Sequence, residues 1–429
     1  MIAAGWLMAG LIGMLVLGVS AGIALGASSL GYFGLTRGLL EIPYEIITQR
    51  LVGTINSFTL LAIPLFLFVG HLMNESGATT RLFGFANAMV GHWRGGLAQV
   101  NVLASMLFAG MSGSGTADAA GLGAIEVKAM REANYDDKTT IGVTVGSALI
   151  GPIIPPSIAA ILYAVLAEVS PADVLLAGAI PGVLMAVGLM ILVAFLARRR
   201  KLPSEPFPGM RALWQSFRES FWALLTPVIL IGGILAGFFT ATESAAIAAL
   251  WATVVAVFIY RSVGLAALGR VFWRSAYDST VIMFILACSG LFGWILTRAR
   301  LPQGIADTIA GLTTDPTLVM ALMIAFLLVI GCFMAVAVSI NILTPILVPI
   351  AISVGIDPVH FGVIMIMVLV IGEATPPFGM VLFVMTRIAN VPFDLVVRAC
   401  LPFLATIFLV VVAVWFMPQL ALWLPGVAR

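Results

Sequence analysis

Two stretches of this sequence set helix-breaking residues beside small polar ones inside apolar surroundings: Gly151-Pro152-Ile153-Ile154-Pro155-Pro156-Ser157 and Gly372-Glu373-Ala374-Thr375-Pro376-Pro377-Phe378-Gly379. Each proline removes a backbone donor and clashes one turn back, so neither stretch continues a regular helix. Both lie between apolar arms, Thr139–Ile150 and Ile158–Val169 for the first, Phe361–Ile371 and Met380–Ile388 for the second. At membrane depth, broken backbone is tolerated only inside protein or beside a polar cavity. The chemistry on offer is therefore binding. Helix N-termini suit a carboxylate, and freed carbonyls are hard oxygen donors for Na⁺.

Two further segments have the matching character. Gly96–Ala109 and Ala119–Ile125 flank Gly110-Met111-Ser112-Gly113-Ser114-Gly115-Thr116-Ala117-Asp118; Thr317–Val338 and Ile346–Val354 flank Ser339-Ile340-Asn341-Ile342-Leu343-Thr344-Pro345. Short apolar arms around a polar turn predict a re-entrant hairpin, against the alternative of one long helix with small residues for close packing. These tips and breaks contain no Lys or Arg. An anion would have to be held by dipoles, hydroxyls and co-bound cations, which argues for cation-coupled uptake of an anion.

Acids inside a membrane span are costly and are functional suspects by default. Asp118, Glu243 and Glu373 qualify. Asp118 stands one turn into the second hairpin arm, where it could cap or brace the tip. Glu243, after Thr240 and Thr242, fits an N-terminal helix position, with structural capping as the competing reading. Glu373, inside a break, is a candidate for tuning cation affinity or carrying a proton. His71 and Glu75 stand four apart without a third ligand, which favours a polar interfacial face over a metal site. Ser112 and Ser114 lack the strand–turn–helix setting of a nucleophile elbow.

The elements that position these residues must be membrane helices. Hydrophobic residues make up 62% of the 429 positions and charged ones 9%, which excludes a soluble domain. A net charge of +2 gives no footprint for nucleic acid. Cys288, Cys332 and Cys400 stand singly in apolar runs, so no disulfide framework is expected. About ten to thirteen membrane segments are expected in a single integral unit over residues 1–429. Ile2–Ala27 reads as the first helix rather than a cleavable signal, and Arg37–Arg50, with Glu41, as an interfacial amphipathic helix. The first repeat is placed at 57–201, with its hairpin at about 96–130 and its broken helix at about 139–169. An amphipathic connection follows over 202–221. The second repeat runs over 222–400, with its hairpin at about 325–354 and its broken helix at about 359–389. Arg198–Lys201 marks the cytoplasmic side. Tracing from there, the first hairpin enters from the cytoplasm and the second from the opposite face. The expected fold is an all-α polytopic membrane protein with inverted-topology repeats, two re-entrant hairpins and two broken helices.

Six motifs together resemble the large membrane subunit of tripartite ATP-independent periplasmic (TRAP) transporters, the DctM-like family. They are Ser112-Gly113-Ser114-Gly115-Thr116-Ala117-Asp118, Ile154-Pro155-Pro156-Ser157, Thr240-Ala241-Thr242-Glu243-Ser244-Ala245-Ala246, Leu343-Thr344-Pro345-Ile346-Leu347, Gly355-Ile356-Asp357-Pro358-Val359-His360-Phe361-Gly362 and Thr375-Pro376-Pro377-Phe378-Gly379. The resemblance implies an elevator-type Na⁺ symporter of the bacterial inner membrane, with no enzymatic activity and no cofactor beyond Na⁺ as coupling ion. It also implies a small membrane subunit, a periplasmic solute-binding protein and an organic acid anion (a dicarboxylate, a sialic or sugar acid, or a keto acid) as partners. Carried onto matching positions, it points to Ser112, Gly115, Gly151, Ile154 and Pro156 for one sodium ion and to Gly372, Thr375 and Phe378 for another. Ser114, Thr116, Ser157, Asn341 and Thr344 are the expected solute contacts. The chain departs from the family's commoner pattern at Ala335-Val336-Ala337, where more polar residues are expected, and at Glu373, where a neutral residue is usual. A related symporter working without a binding protein is the nearest alternative, and an intramembrane enzyme or assembly component a more distant one.

Overall fold

The computed structural model describes residues 2–38, 43–200, 202–204, 206–300, 304, 313, 315–376 and 379–428. Glu41, Lys201, Pro377 and Phe378, named above, lie outside the described residues. Where lipid replaces water, the chain must satisfy its own backbone, and every regular element among the described residues is a helix.

The N-terminal run is two helices rather than the single one expected: α1 (Ile2–Val16) and α2 (Ala21–Arg37) pack against each other. The chain turns at Gly18, whose φ of +80° only glycine adopts freely, while Val19 N donates to Met14 O across the helix end. α3 (Tyr44–Ile55) follows. A short 3₁₀ turn at Phe58–Leu61 then leads into α4 (Ala62–Glu75), and α5 (Ala78–Val90) comes next.

The first hairpin is α6 (Gly96–Ser112) and α7 (Gly115–Glu132), with only Gly113 and Ser114 between the arms. The first broken helix is α8 (Asp137–Ala148) and α9 (Ile158–Leu166). Then come α10 (Pro171–Arg200) and α11 (Met210–Leu235). The predicted connection over 202–221 is thus half absorbed into a helix, because α11 begins eleven residues before that connection was expected to end. α12 (Ala241–Val254) closes in a π turn at Val255–Ile259, and α13 (Leu265–Arg298) is the longest helix among the described residues.

The second hairpin is α14 (Pro316–Gly331) and α15 (Val336–Ser353), joined by Cys332–Ala335. Here the expectation fails. Ser339–Pro345 is not the tip but helix interior, and both Pro345 and Pro349 sit inside α15. The real tip carries little polar signal, so the proline and hydroxyl residues one turn further on drew the boundary to themselves. The second broken helix is α16 (Pro358–Gly372) and α17 (Met380–Ala389), followed by α18 (Phe393–Phe416) and α19 (Gln419–Ala428). Seven helices of the described residues are long and apolar enough to span on their own. The shortfall against the ten to thirteen expected arises because most hairpin arms and broken halves are too short to be counted singly.

Aspartates cap both leading halves of the broken helices. Thr139 N donates to Asp136 Oδ2 at 2.9 Å, and Val359 N to Asp357 Oδ1 at 2.8 Å. The packing is crosswise. α6 and α7 lie on α8, and α14 lies on α16; α9, however, packs on α15 of the second hairpin, and α17 packs on α7 of the first. α13 lies outside this block and packs on α2, α3, α4 and α15.

One face gathers the cationic loops. Tyr135 Oη donates to Pro203 O at 2.7 Å, Arg200 pairs with Asp136 at 3.0 Å, Ser220 Oγ donates to Arg81 O at 2.8 Å, and Ser262 Oγ donates to Ser76 O at 2.9 Å. The Arg81 guanidinium stacks 3.7 Å over Tyr260, and Arg270 meets Glu75 at 3.8 Å. This is the face that the positive-inside rule, applied to Arg198–Lys201, leads one to expect in the cytoplasm.

Candidate functional site

A cavity of about 700 Å³ opens between the first hairpin tip and the helices α4 and α13. Ser112, Ser114, Gly115 and Thr116 of the tip line it, as do His71 and Asn74 of α4 and Arg274, Tyr277 and Asp278 of α13. The second hairpin contributes Ala335, Val336 and Ala337, and its break contributes Glu373. The two tips thus meet one cavity.

The first tip is pressed against its break. Gly113 takes φ +62°, and a Cβ there would run into the Pro156 carbonyl oxygen. A Cβ on Gly151 would stand 3.3 Å from Gly115 N. Ser112, Gly115, Gly151 and Pro156 are therefore assembled at one place by backbone contact. Among the described residues, no group donates a hydrogen bond to the carbonyl oxygens of Gly151, Ile154 or Pro156. The Ser112 hydroxyl, on a residue 6% exposed, has no partner either. Oxygens left open in this way are uncommon inside proteins, and hard oxygen donors are what a small cation requires.

The second tip is tied differently. Glu373 Oε1 accepts from Val336 N at 2.7 Å, so a side chain from the break caps the helix that starts at the tip. Gly379 N donates to Cys332 O at 3.3 Å. Gly331 and Gly372 pack backbone to backbone, with a Cβ on Gly372 falling 2.5 Å from Gly331 Cα. Of the expected second ion set, the Gly372 carbonyl already accepts from Thr375 N at 2.9 Å, and the Thr375 hydroxyl donates to Ile371 O at 2.7 Å. Phe378 lies outside the described residues.

The expected solute contacts divide. Ser114 and Thr116 line the cavity, their hydroxyls 3.2 Å apart, and the Ser114 hydroxyl accepts from Ala117 N as the cap of α7. Ser157, Asn341 and Thr344 are buried away from it. Ser157 caps α9 and donates to Pro152 O; Asn341 Nδ2 donates to Ala337 O at 2.8 Å and its backbone carbonyl accepts from Ser289, while its Oδ1 has no partner. Glu243 forms a reciprocal capping box with Thr240, its carboxylate taking Thr240 N at 2.8 Å. Asp118 is 1% exposed with both carboxylate oxygens unpartnered. So is Glu126, two turns along α7, which the sequence reading passes over.

Residues 8–420 match the family model described as the tripartite ATP-independent periplasmic transporter, DctM component. The chain belongs to that family. Among DctM relatives, it is 40% identical over 421 residues to the sialic acid TRAP transporter large permease protein SiaM of Vibrio cholerae, covering 98% of this chain and 97% of that one. It is 39% identical over 400 residues to the C4-dicarboxylate TRAP transporter large permease protein DctM of Pseudomonas aeruginosa, covering 93% and 94%. In fold it is similar to the Alcanivorax borkumensis YdaH transporter, with a TM-score of 0.66 over 92% of this chain and 90% of that one at 14% identity. A DctM-family chain is a multi-pass transporter component of a tripartite system, not an enzyme.

His71 and Glu75, weighed above as a metal pair, are separately engaged. His71 Nε2 meets Asp278 Oδ2 at 2.8 Å, and Glu75 pairs with Arg270. What the sequence reading missed is the α13 wall. By hydropathy a span is expected over Asp278–Leu296, whereas the helix starts at Leu265 and brings Arg274 and Tyr277 into the cavity. An arginine and an aspartate four apart at the edge of an apolar run were the available signal.

Proposed function

We propose that this DctM-family chain couples Na⁺ to the uptake of a small organic acid anion across the bacterial inner membrane. In this reading the solute is delivered by a periplasmic binding protein, and a small membrane subunit completes the permease. The observation that carries the sodium coupling is the first tip, seated against its break through Gly113 and Pro156, where the carbonyls of Gly151, Ile154 and Pro156 and the Ser112 hydroxyl have no hydrogen-bond partner among the described residues. Unwound backbone beside a cavity is the expected form of a cation site in such transporters. The cavity beside it has room for a small anion. The names of the relatives point to sialic acid and C4-dicarboxylates as the first solutes to try.

The hairpins and broken helices move as one unit, with the repeats in inverted topology, while α2, α3, α4 and α13 belong to a scaffold that also holds the small subunit. The crosswise packing of α9 on α15 and α17 on α7 supports one moving block over two. The test is uptake into proteoliposomes holding both membrane subunits, with binding protein outside and an imposed Na⁺ gradient. Succinate, N-acetylneuraminate and a panel of sugar and keto acids are offered in turn. Accumulation of one of them that vanishes when Na⁺ is equal on both sides is the expected result. Uptake indifferent to sodium overturns the coupling, and no uptake of any acid overturns the solute class.

A further inference from the structure

Neither tip nor break carries a Lys or Arg, yet the cavity they share is not without a cation. Arg274 lines it from α13, in the same cavity as the Ser112–Ala117 tip. Its neighbours leave it free. Asp278, one turn on, is held by His71 at 2.8 Å, and Glu75, one turn past His71 on α4, is held by Arg270 at 3.8 Å. Among the described residues, no carboxylate lies within ion-pair distance of the Arg274 guanidinium. Glu373, also in the cavity wall, is turned to Val336 N. Arg274 is the one Lys or Arg in the described lining. In the same lining, the Ser112 hydroxyl is buried without a partner, and Tyr277 comes from the same helix as Arg274.

We infer that Arg274 is the residue that receives a carboxylate of the solute in the cytoplasm-facing state, on the solute's way from the hairpin tip to the cell interior. Three observations carry this. A guanidinium is planar, always charged and matched to a carboxylate by two parallel hydrogen bonds, and here it lines a cavity whose two acids, Asp278 and Glu373, are engaged by His71 and Val336 N. Arg270, one turn before Arg274, and Ser262 before that lie at the cationic face of the molecule, so Arg274 stands at the cytoplasmic end of the cavity. α13 is outside the block of hairpins and broken helices. Under the proposed movement, on which this inference rests, the tip meets Arg274 only in the inward position. The anion is thus drawn off the tip by a charge that is absent from the outward site. A scaffold charge acting on one side alone sets the affinity for solute inside the cell without setting the affinity outside.

The test uses proteoliposomes with both membrane subunits, preloaded with unlabelled succinate or N-acetylneuraminate over a range of internal concentrations, and follows exchange against the labelled acid outside. In Arg274→Gln the half-saturating internal concentration should rise about tenfold or more, the loss expected for a charge-assisted hydrogen bond. Arg274→Lys should recover part of it, and the external half-saturation should change much less. A structural role would move both sides together. A second measurement needs no solute. In Tyr277→Cys, with the labelling of the native cysteines subtracted, the anionic methanethiosulfonate reagent should react several-fold faster than the cationic one. Adding Arg274→Gln should abolish that preference. An unchanged internal half-saturation in a variant that still exchanges overturns the inference and leaves the sodium-coupled reading intact. A wild-type chain that exchanges neither acid counts against that reading instead, and the labelling ratio then decides the charge at Arg274 by itself.

Discussion

Gly113 turns at φ +62° directly against the carbonyl of Pro156, so the tip of the first hairpin and the break of its neighbouring helix share one surface with no room for a methyl group. The left-handed backbone alone costs a residue with a Cβ about 1–2 kcal/mol, and the collision adds to that. Gly113→Ala should therefore abolish sodium-driven uptake and lower the melting temperature in detergent by a few degrees. Gly53→Ala, with open space around its Cβ, serves as the control that changes neither. Full uptake by the Gly113 variant would mean that the contact has no part in the site.

Sodium should read the same place. Ser112→Ala removes a hydroxyl that has no other partner and so leaves nothing unsatisfied behind. The half-saturating Na⁺ concentration should rise roughly threefold to tenfold, the ordinary worth of one polar contact, with the melting temperature in sodium-free buffer unchanged. Pro156→Ala should likewise weaken Na⁺-dependent uptake in a chain that remains folded. Sodium titrations of both variants that overlay the wild type would remove these residues from the ion site.

At the second tip the useful comparison is between two replacements of Glu373. Gln keeps an oxygen for Val336 N, whereas Ala leaves that amide buried without an acceptor. Ala should cost about 1–2 kcal/mol, read as a lower melting temperature together with reduced uptake, and Gln should keep most of both. Equal losses in the two variants would show that the negative charge, rather than the cap, is what Glu373 supplies.

Thr240 and Glu243 should matter for stability alone. Their reciprocal hydrogen bonds close the start of α12 away from the cavity lining. Thr240→Ala should cost about 1 kcal/mol and leave half-saturation for sodium and solute where they were. A change in either constant would reopen the functional reading of Glu243.

The breaks were legible because proline and glycine act locally: Gly151–Ser157 interrupts its helix where backbone sterics say it must, and α8 and α9 end within a few residues of the expected arms. The first tip was legible for the same reason. The second was not. Gly331 ends α14 by packing against Gly372 of another helix, a partner that local sequence does not reveal. Pro345, which looked like a breaker, sits inside α15 and packs on Gly293 of α13. Burial by neighbours excuses a proline that an isolated helix would reject. Arg274 escaped because its helix begins in a polar stretch that hydropathy excludes from the span. The capping role of Glu373 joins residues far apart in the chain, and no periodicity shows it.

The reciprocal seating of α9 and α17 has a mechanical corollary. Each half of the molecule lends its trailing helix to the other as a clasp, so slack at one tip is felt at both. Under the movement proposed above, fastening of this kind obliges the two tips to travel together.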